Sequence, residues 1–214
     1  MLDRVFSRIQ TTHRPAWVDH RSVSLMSLGE TVPRAVVASE DARFFLHHGF
    51  DWAGICGAAA KNADGRSLRG GSSITQQTAK NVFLWQGRSW LRKGLEAWYT
   101  LLMEAILPKE RILELYLSVA ETGPMTFGVH SGATLWFQSS PAALTPDQAA
   151  RLAGIFPSPN RWDPSGESAT KRARHVAANP APFPGDRGFN AAAQAYAAQG
   201  RSPLCLFDLL RTGR

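Results

Sequence analysis

Cysteine is nearly absent. Cys56 and Cys205 are the only two in 214 residues, far apart and in no Cys-x-x-Cys or Cys/His ligand spacing, which argues against a zinc module and a disulfide scaffold. Two free thiols are the expected state. Also missing is any uninterrupted apolar run of about 18 residues, the length that marks a membrane-spanning helix. The opening MLDRVFSRIQTTHRPAW has no apolar core of signal-peptide length, so the chain as written is expected to be soluble. Strand-like alternation is scarce, and no internal repeat or heptad array occurs. Negative charge is the scarcer sign: 17 Asp and Glu face 24 Lys and Arg, a net charge of +7 with a pI near 10.0. The partner this favours is anionic, whether nucleic acid, an acidic membrane surface or a phosphorylated substrate.

What is present suffices for a globular domain, since 44% of residues are hydrophobic and a chain of this length can bury a full core. Residues 1–30 read as an irregular segment. Helix signals then begin: Thr31 is a plausible cap and Pro33 suits a first turn, in a helix running to about His47 with Glu40 and Asp41 inside it or near its end. Asp51 can cap a second helix through about Ala63. The Gly-rich loop ADGRSLRGG leads into Ser73-x-x-Gln76, a capping-box pattern opening a further helix. In residues 88–107 the apolar positions Leu91, Leu95, Trp98, Leu102 and Ile106 recur at helical spacing, with Arg92 and Glu96 an i,i+4 pair. Pro108 restarts the chain as an amphipathic helix, PKERILELYLSVAE. ETGPMTFG reads as a loop, 128–138 as a helix, and Thr145-Pro146-Asp147-Gln148 as the capped start of a helix to about Ile155. A proline-punctuated loop, a short basic helix at 168–178 and a Pro/Gly connection at 180–190 follow. An alanine-rich helical stretch and the apolar LCLFDLL end the chain.

The stretch ASEDARFFLHHGFD sets two adjacent carboxylates between Ala-Val-Val and paired phenylalanines, where an unpaired buried charge is expensive. One reading is a helix with a solvated acidic side. The other is a carboxylate kept in a cleft for proton transfer, its pKa raised by apolar Val36, Val37, Phe44 and Phe45. Glycosyl transfer from a phosphorylated donor needs such a base, together with cations and backbone donors for the departing phosphate. Arg69-Gly70-Gly71-Ser72-Ser73 with Thr75, Gln76 and Lys80 forms a candidate anion cradle at a helix start, and Arg92 and Lys93 add charge. Taken singly, each has an ordinary explanation. His47 and His48 suit loop or capping positions better than metal ligation, Glu96 is most simply a surface partner of Arg92, and Glu104 and Glu114 fit a polar helix face. Trp85, Trp90 and Trp98 suit core or interfacial anchoring.

In order, ASEDARFFLHHGFD, RGGSSITQQTAKNVFL, RKGLEAW and KERILELYLSVAETGP resemble the consecutive motifs of the peptidoglycan glycosyltransferases, and more narrowly of their monofunctional biosynthetic transglycosylases. The resemblance runs from about Val32 to Pro164. It implies a mainly α, lysozyme-like fold with a small membrane-facing lobe. The glycosyltransferase domain would span 31–178, and 179–214 would be an extension of unassigned role. The implied reaction polymerises lipid II into glycan strands with release of undecaprenyl diphosphate and inversion at the anomeric carbon. By that resemblance Glu40 is the general base toward the acceptor 4-hydroxyl, with Asp41 in the same motif. Ser72, Ser73, Thr75, Gln76, Gln77 and Lys80 are the second-motif polar residues. Arg92 and Lys93 hold the donor pyrophosphate, and Glu96 supports it directly or through a divalent cation, Mg²⁺ or Mn²⁺; no other cofactor is implied. The implied partners are lipid II, the lipid-linked glycan chain, the inner-membrane surface and cell-wall synthesis proteins, without nucleic acid, at the periplasmic face of the bacterial inner membrane.

This sequence departs from the family pattern in places. The membrane-spanning helix with which such members begin is not found, Ser118 stands where Tyr-Leu-Asn usually ends, Thr122 replaces a tryptophan, and 133–140 differs from the usual Ala-Ala-x-x-Tyr-Phe-Gly-Lys. An inactive relative serving as a cell-wall assembly scaffold is therefore one alternative. A lysozyme-like glycan-cleaving enzyme is another, but it leaves Gln76, Lys80, Arg92 and Lys93 without a task. A helical nucleic-acid binder is suggested by the basic pI alone.

Overall fold

The computed structural model describes residues 19–56, 71–87 and 89–199. Those residues are mainly helical, as expected, and also carry one small three-stranded sheet. In chain order they form β1 (Asp19–His20), α1 (Leu25–Leu28), α2 (Thr31–Glu40), a helical turn at 52–56, α3 (Ile74–Phe83), α4 (Trp90–Ile106), α5 (Lys109–Val119), β2 (Glu121–Gly123), β3 (Thr126–Phe127), α6 (Val129–Phe137), a 3₁₀ turn (Pro141–Ala143), α7 (Pro146–Gly154), α8 (Glu167–Ala178) and α9 (Phe189–Ala198).

Helix α2 is apolar almost all round, with Val32, Pro33, Ala35, Val36, Val37 and Ala38 buried, so only enclosure by other helices can satisfy it. It packs on α7 and α8, while α3 lies against α4 and α5. Val32, Val36 and Val37 are fully buried, each burial stabilising the fold by roughly 1.5–3 kcal/mol relative to exposure. Contrary to expectation, Thr31 is not the cap. Glu30 is the N-cap without a side-chain cap bond, and its carboxylate pairs with Arg34 instead. Nor does the helix reach His47. Asp41 leaves helical geometry at φ −159° and ψ 76°, because its carboxylate accepts from His47 Nε2 and from the Ile74 amide, all at 3.0 Å. Tertiary hydrogen bonds therefore outcompete propagation of the helix over 41–49.

At Gly49 the backbone has φ +80°, and a Cβ would come within 2.8 Å of Thr100 Cγ2, so this position requires glycine. Asp51 does cap the next turn, accepting from the Gly54 amide at 3.0 Å; the remainder of that expected helix lies outside the described residues, as do Arg69 and Gly70. The capping boxes at Ser73/Gln76 and Thr145/Gln148 form as expected.

Three further expectations are corrected. The ETGPMTFG loop is a hairpin, β2 antiparallel to β3 with β1 parallel on the other side; strands of two or three residues are too short to show alternation. Residues 19–28 are ordered by attachment rather than by periodicity, the Val23 amide donating to Ser118 Oγ and the Leu25 amide to Glu114 Oε1. Cys56 is disulfide-bonded, which corrects the free-thiol expectation. From the C-terminal side, Asp186 grips Arg34 of α2 at 3.0 and 2.9 Å. Phe183 packs edge-on against Phe45, and Tyr196 donates to Asp51 at 3.2 Å.

Candidate active site

Glu40 is the last residue of α2, so its side chain leaves the packed helix and lines a cleft of about 800 Å³. Gln76, Gln77 and Lys80 of α3 line the same cleft with Ser72, and Arg92, Lys93 and Glu96 of α4 form its cationic side. Ser39, Pro157 and the α8 residues Lys171, Arg172, His175 and Val176 complete the lining. Glu40 and Glu96 thus face one cleft. Asp41, Ser73 and Thr75 are buried behind it. Asp41 ties the Glu40 segment to the start of α3, Ser73 Oγ donates to the Gly49 carbonyl, and Thr75 Oγ1 donates to Glu104. These three shape the wall and contribute nothing to its surface.

The Glu40 side chain is 9% exposed, and burial pushes its pKa up, with Arg172, Gln77 and Ser39 opposing the rise. Its Oε1 meets Arg172 Nη2 at 2.8 Å and Ser39 Oγ at 3.4 Å, and its Oε2 accepts from Gln77 Nε2 at 3.2 Å. Gln77 is oriented in turn by Tyr116, whose hydroxyl donates to Gln77 Oε1 at 3.1 Å. The direction of the Glu40 shift is the expected one, but its immediate partners are polar. Phe44 lies in the core under the Lys109 ammonium, 4.4 Å from the ring centre.

Glu96 is not a surface partner. Its side chain is 4% exposed, with Oε2 on Arg92 at 2.9 Å and Oε1 on Lys93. Lys93 also reaches Ser72 Oγ at 3.4 Å. A buried carboxylate held by two cations fixes their position and leaves a positive excess toward the cleft. This donor set does not fit a resident divalent cation: both carboxylate oxygens are engaged by cations, and the described residues hold no group of three or more metal-ligating side chains. The cradle is also built differently from expectation. Ser73 and Ile74 amides are consumed by Gln76 Oε1 and Asp41, and the Gln76 amide by Ser73 Oγ. On α3 and α4 the cationic groups that line the cleft are the side chains of Lys80, Arg92 and Lys93.

Sequence reasoning missed Arg172, Tyr116, Lys171 and His175 as site residues. The basic helix 168–178 was visible, but nothing in its spacing pointed 132 positions back to Glu40.

A mainly helical domain with a buried carboxylate facing a cationic wall defines a class, and comparison with known proteins supplies the family. The transglycosylase family profile matches residues 6–181, and the chain belongs to that family. It is 50% identical over 147 residues to the biosynthetic peptidoglycan transglycosylase of Xanthomonas axonopodis pv. citri, covering 69% of this chain and 58% of that one. The proteins of the same name from Caulobacter vibrioides and Pseudomonas aeruginosa are 45% and 48% identical over 161 and 154 residues. Those matches cover 74% and 69% of this chain, and 70% and 66% of the relatives. Against the Xanthomonas relatives the chain spans somewhat more than half of their length.

Proposed function

We propose that this chain is a peptidoglycan polymerase that joins lipid II units into glycan strands, with Glu40 as general base. The observation that carries the reading is a buried carboxylate, its pKa pushed up by burial, that lines one cleft together with the cations Lys80, Arg92 and Lys93. In the step, Glu40 takes the proton of the acceptor 4-hydroxyl as that oxygen bonds to the donor's anomeric carbon. The bond from that carbon to the lipid diphosphate breaks with inversion. Charge growing on the departing undecaprenyl diphosphate is met by the three cations, and stabilising it only as it develops is what accelerates the reaction. Glu96 acts by holding Arg92 and Lys93 in place.

A lipid-bearing substrate calls for a membrane surface beside the cleft. No described helix is long and apolar enough to cross a membrane, yet Trp90, Leu91, Trp98 and Ile106 are 93%, 70%, 59% and 74% exposed along α4. Such a face, with a net charge of +7, suits attachment to an anionic bilayer. The disulfide at Cys56 agrees with an oxidising compartment such as the periplasm.

The departures at Ser118, Thr122 and 133–140 lie outside the cleft lining, in the hairpin, α6 and the attachment of residues 19–28. This favours an active enzyme over a scaffold. The test is incubation of the purified chain with labelled lipid II on anionic vesicles and, separately, with preformed glycan. Growth of glycan from lipid II supports the reading. Cleavage of preformed glycan without synthesis would replace it with a lysozyme-like one, and neither product would support the scaffold.

A further inference from the structure

We infer that Arg172, in the basic helix α8, is the positioning residue of the base: it holds Glu40 ionised and fixes which carboxylate oxygen is turned to the acceptor. This rests on the transglycosylase reading and deepens it. The geometry is one of convergence on a single atom. Arg172 Nη2 donates to the Ser39 carbonyl at 3.0 Å, to Ser39 Oγ at 2.9 Å and to Glu40 Oε1 at 2.8 Å. It therefore grips the last turn of α2 and its terminal carboxylate together. Arg172 Nε is buried without a partner, so the guanidinium is committed to this end of α2 and is not otherwise bound into its surroundings through Nε.

A carboxylate removed from water favours its protonated form, and a protonated base cannot accept the substrate proton. Arg172 opposes that outcome by charge and by hydrogen bonding. With Oε1 held by Arg172 at 2.8 Å and neighboured by Ser39, Oε2 has the Gln77 contact at 3.2 Å and no cation among the described residues, which makes it the oxygen an incoming hydroxyl can reach. The other charged and titratable groups around the cleft come from several helices. Helix α8 adds Lys171 and His175 to the cleft, α3 adds Lys80, and α4 adds Arg92 and Lys93 with Glu96 between them. Tyr116 of α5 stays protonated, its pKa raised well above the ordinary value by burial and by Glu40. Asp41 is turned away onto His47 and Ile74, and α7 offers only the Ala153 carbonyl to Ser39, at 3.3 Å. Among these, Arg172 is the cation in direct contact with the Glu40 carboxylate.

The experiment combines a pH profile with a titration. The full chain and its Arg172→Gln and Arg172→Lys variants are assayed for lipid II polymerisation across pH, and the Glu40 carboxyl is titrated by carbon-13 NMR without substrate. Arg172→Gln keeps hydrogen-bonding capacity and removes the charge. Its expected signature is an acidic limb of kcat/KM moved to higher pH, a rate loss several-fold larger at the acid end than the alkaline end, and a Glu40 titration moved the same way. Arg172→Lys is expected to return both toward the wild type. A uniform rate loss with both titrations unmoved would overturn the inference and leave Arg172 a packing residue. Should Arg172→Gln fail to fold, Arg172→Lys decides alone: a Glu40 titration matching wild type supports the charge assignment, and one raised as far as burial alone would dictate refutes it. If wild type makes no glycan, the transglycosylase reading fails while the carboxyl titration still decides the pairing.

Discussion

Glu40 carries opposing demands, since a base must be ionised to work and burial disfavours ionisation. The conflict is readable in stability. A carboxylic acid whose folded pKa is raised binds protons more tightly when folded, so ∂ΔG/∂pH for unfolding is negative across the window from its ordinary value upward to the raised one. Glu40 thus stabilises the fold relatively at low pH and loses that contribution as pH rises. Thermal melts from pH 4 to pH 8 should show Glu40→Gln gaining stability over wild type as pH increases; a constant difference would mean that the shift is absent. Asp41, its neighbour in sequence, is tied into the interior instead of lining the cleft. Buried against His47 with side chains 4% and 1% exposed, it is predicted to cost about 3 kcal/mol or more on Asp41→Ala, because a buried partner and the Ile74 amide are left unsatisfied. Denaturant unfolding checks this, and a cost below about 1 kcal/mol would refute it.

At the scale of elements, α4 inverts the usual rule. Its buried residues are Glu96, Thr100 and Met103, while Leu91, Trp98 and Ile106 of the apolar stripe point outward. Periodicity announced an amphipathic helix correctly and could not say which side was the core. Capping boxes were legible because Ser73/Gln76 and Thr145/Gln148 act within four residues. The end of α2 was not, because the groups that stop it, His47 and the Ile74 amide, arrive from later in the chain. The outward stripe gives a prediction: Trp90→Ser with Trp98→Ser leaves thermal stability within about 0.5 kcal/mol, as for surface positions, and weakens binding to anionic vesicles in a flotation assay. Unchanged flotation would remove α4 from membrane contact.

At the scale of the whole molecule, the site is assembled from widely separated parts of the chain: the base from α2, the cations from α3 and α4, and the arginine from α8. Sequence motifs identified the first three because each motif is local. Arg172 stayed hidden because a single contact across 132 positions leaves no periodic trace. The most direct measurement is release of undecaprenyl diphosphate and formation of glycan from lipid II by the wild type and by Glu40→Gln. The account predicts one undecaprenyl diphosphate released per glycosidic bond formed by wild type, and loss of both release and bond formation by about 10²–10⁴-fold in the variant, the usual contribution of a general base. Polymerisation by Glu40→Gln at the wild-type rate would contradict it.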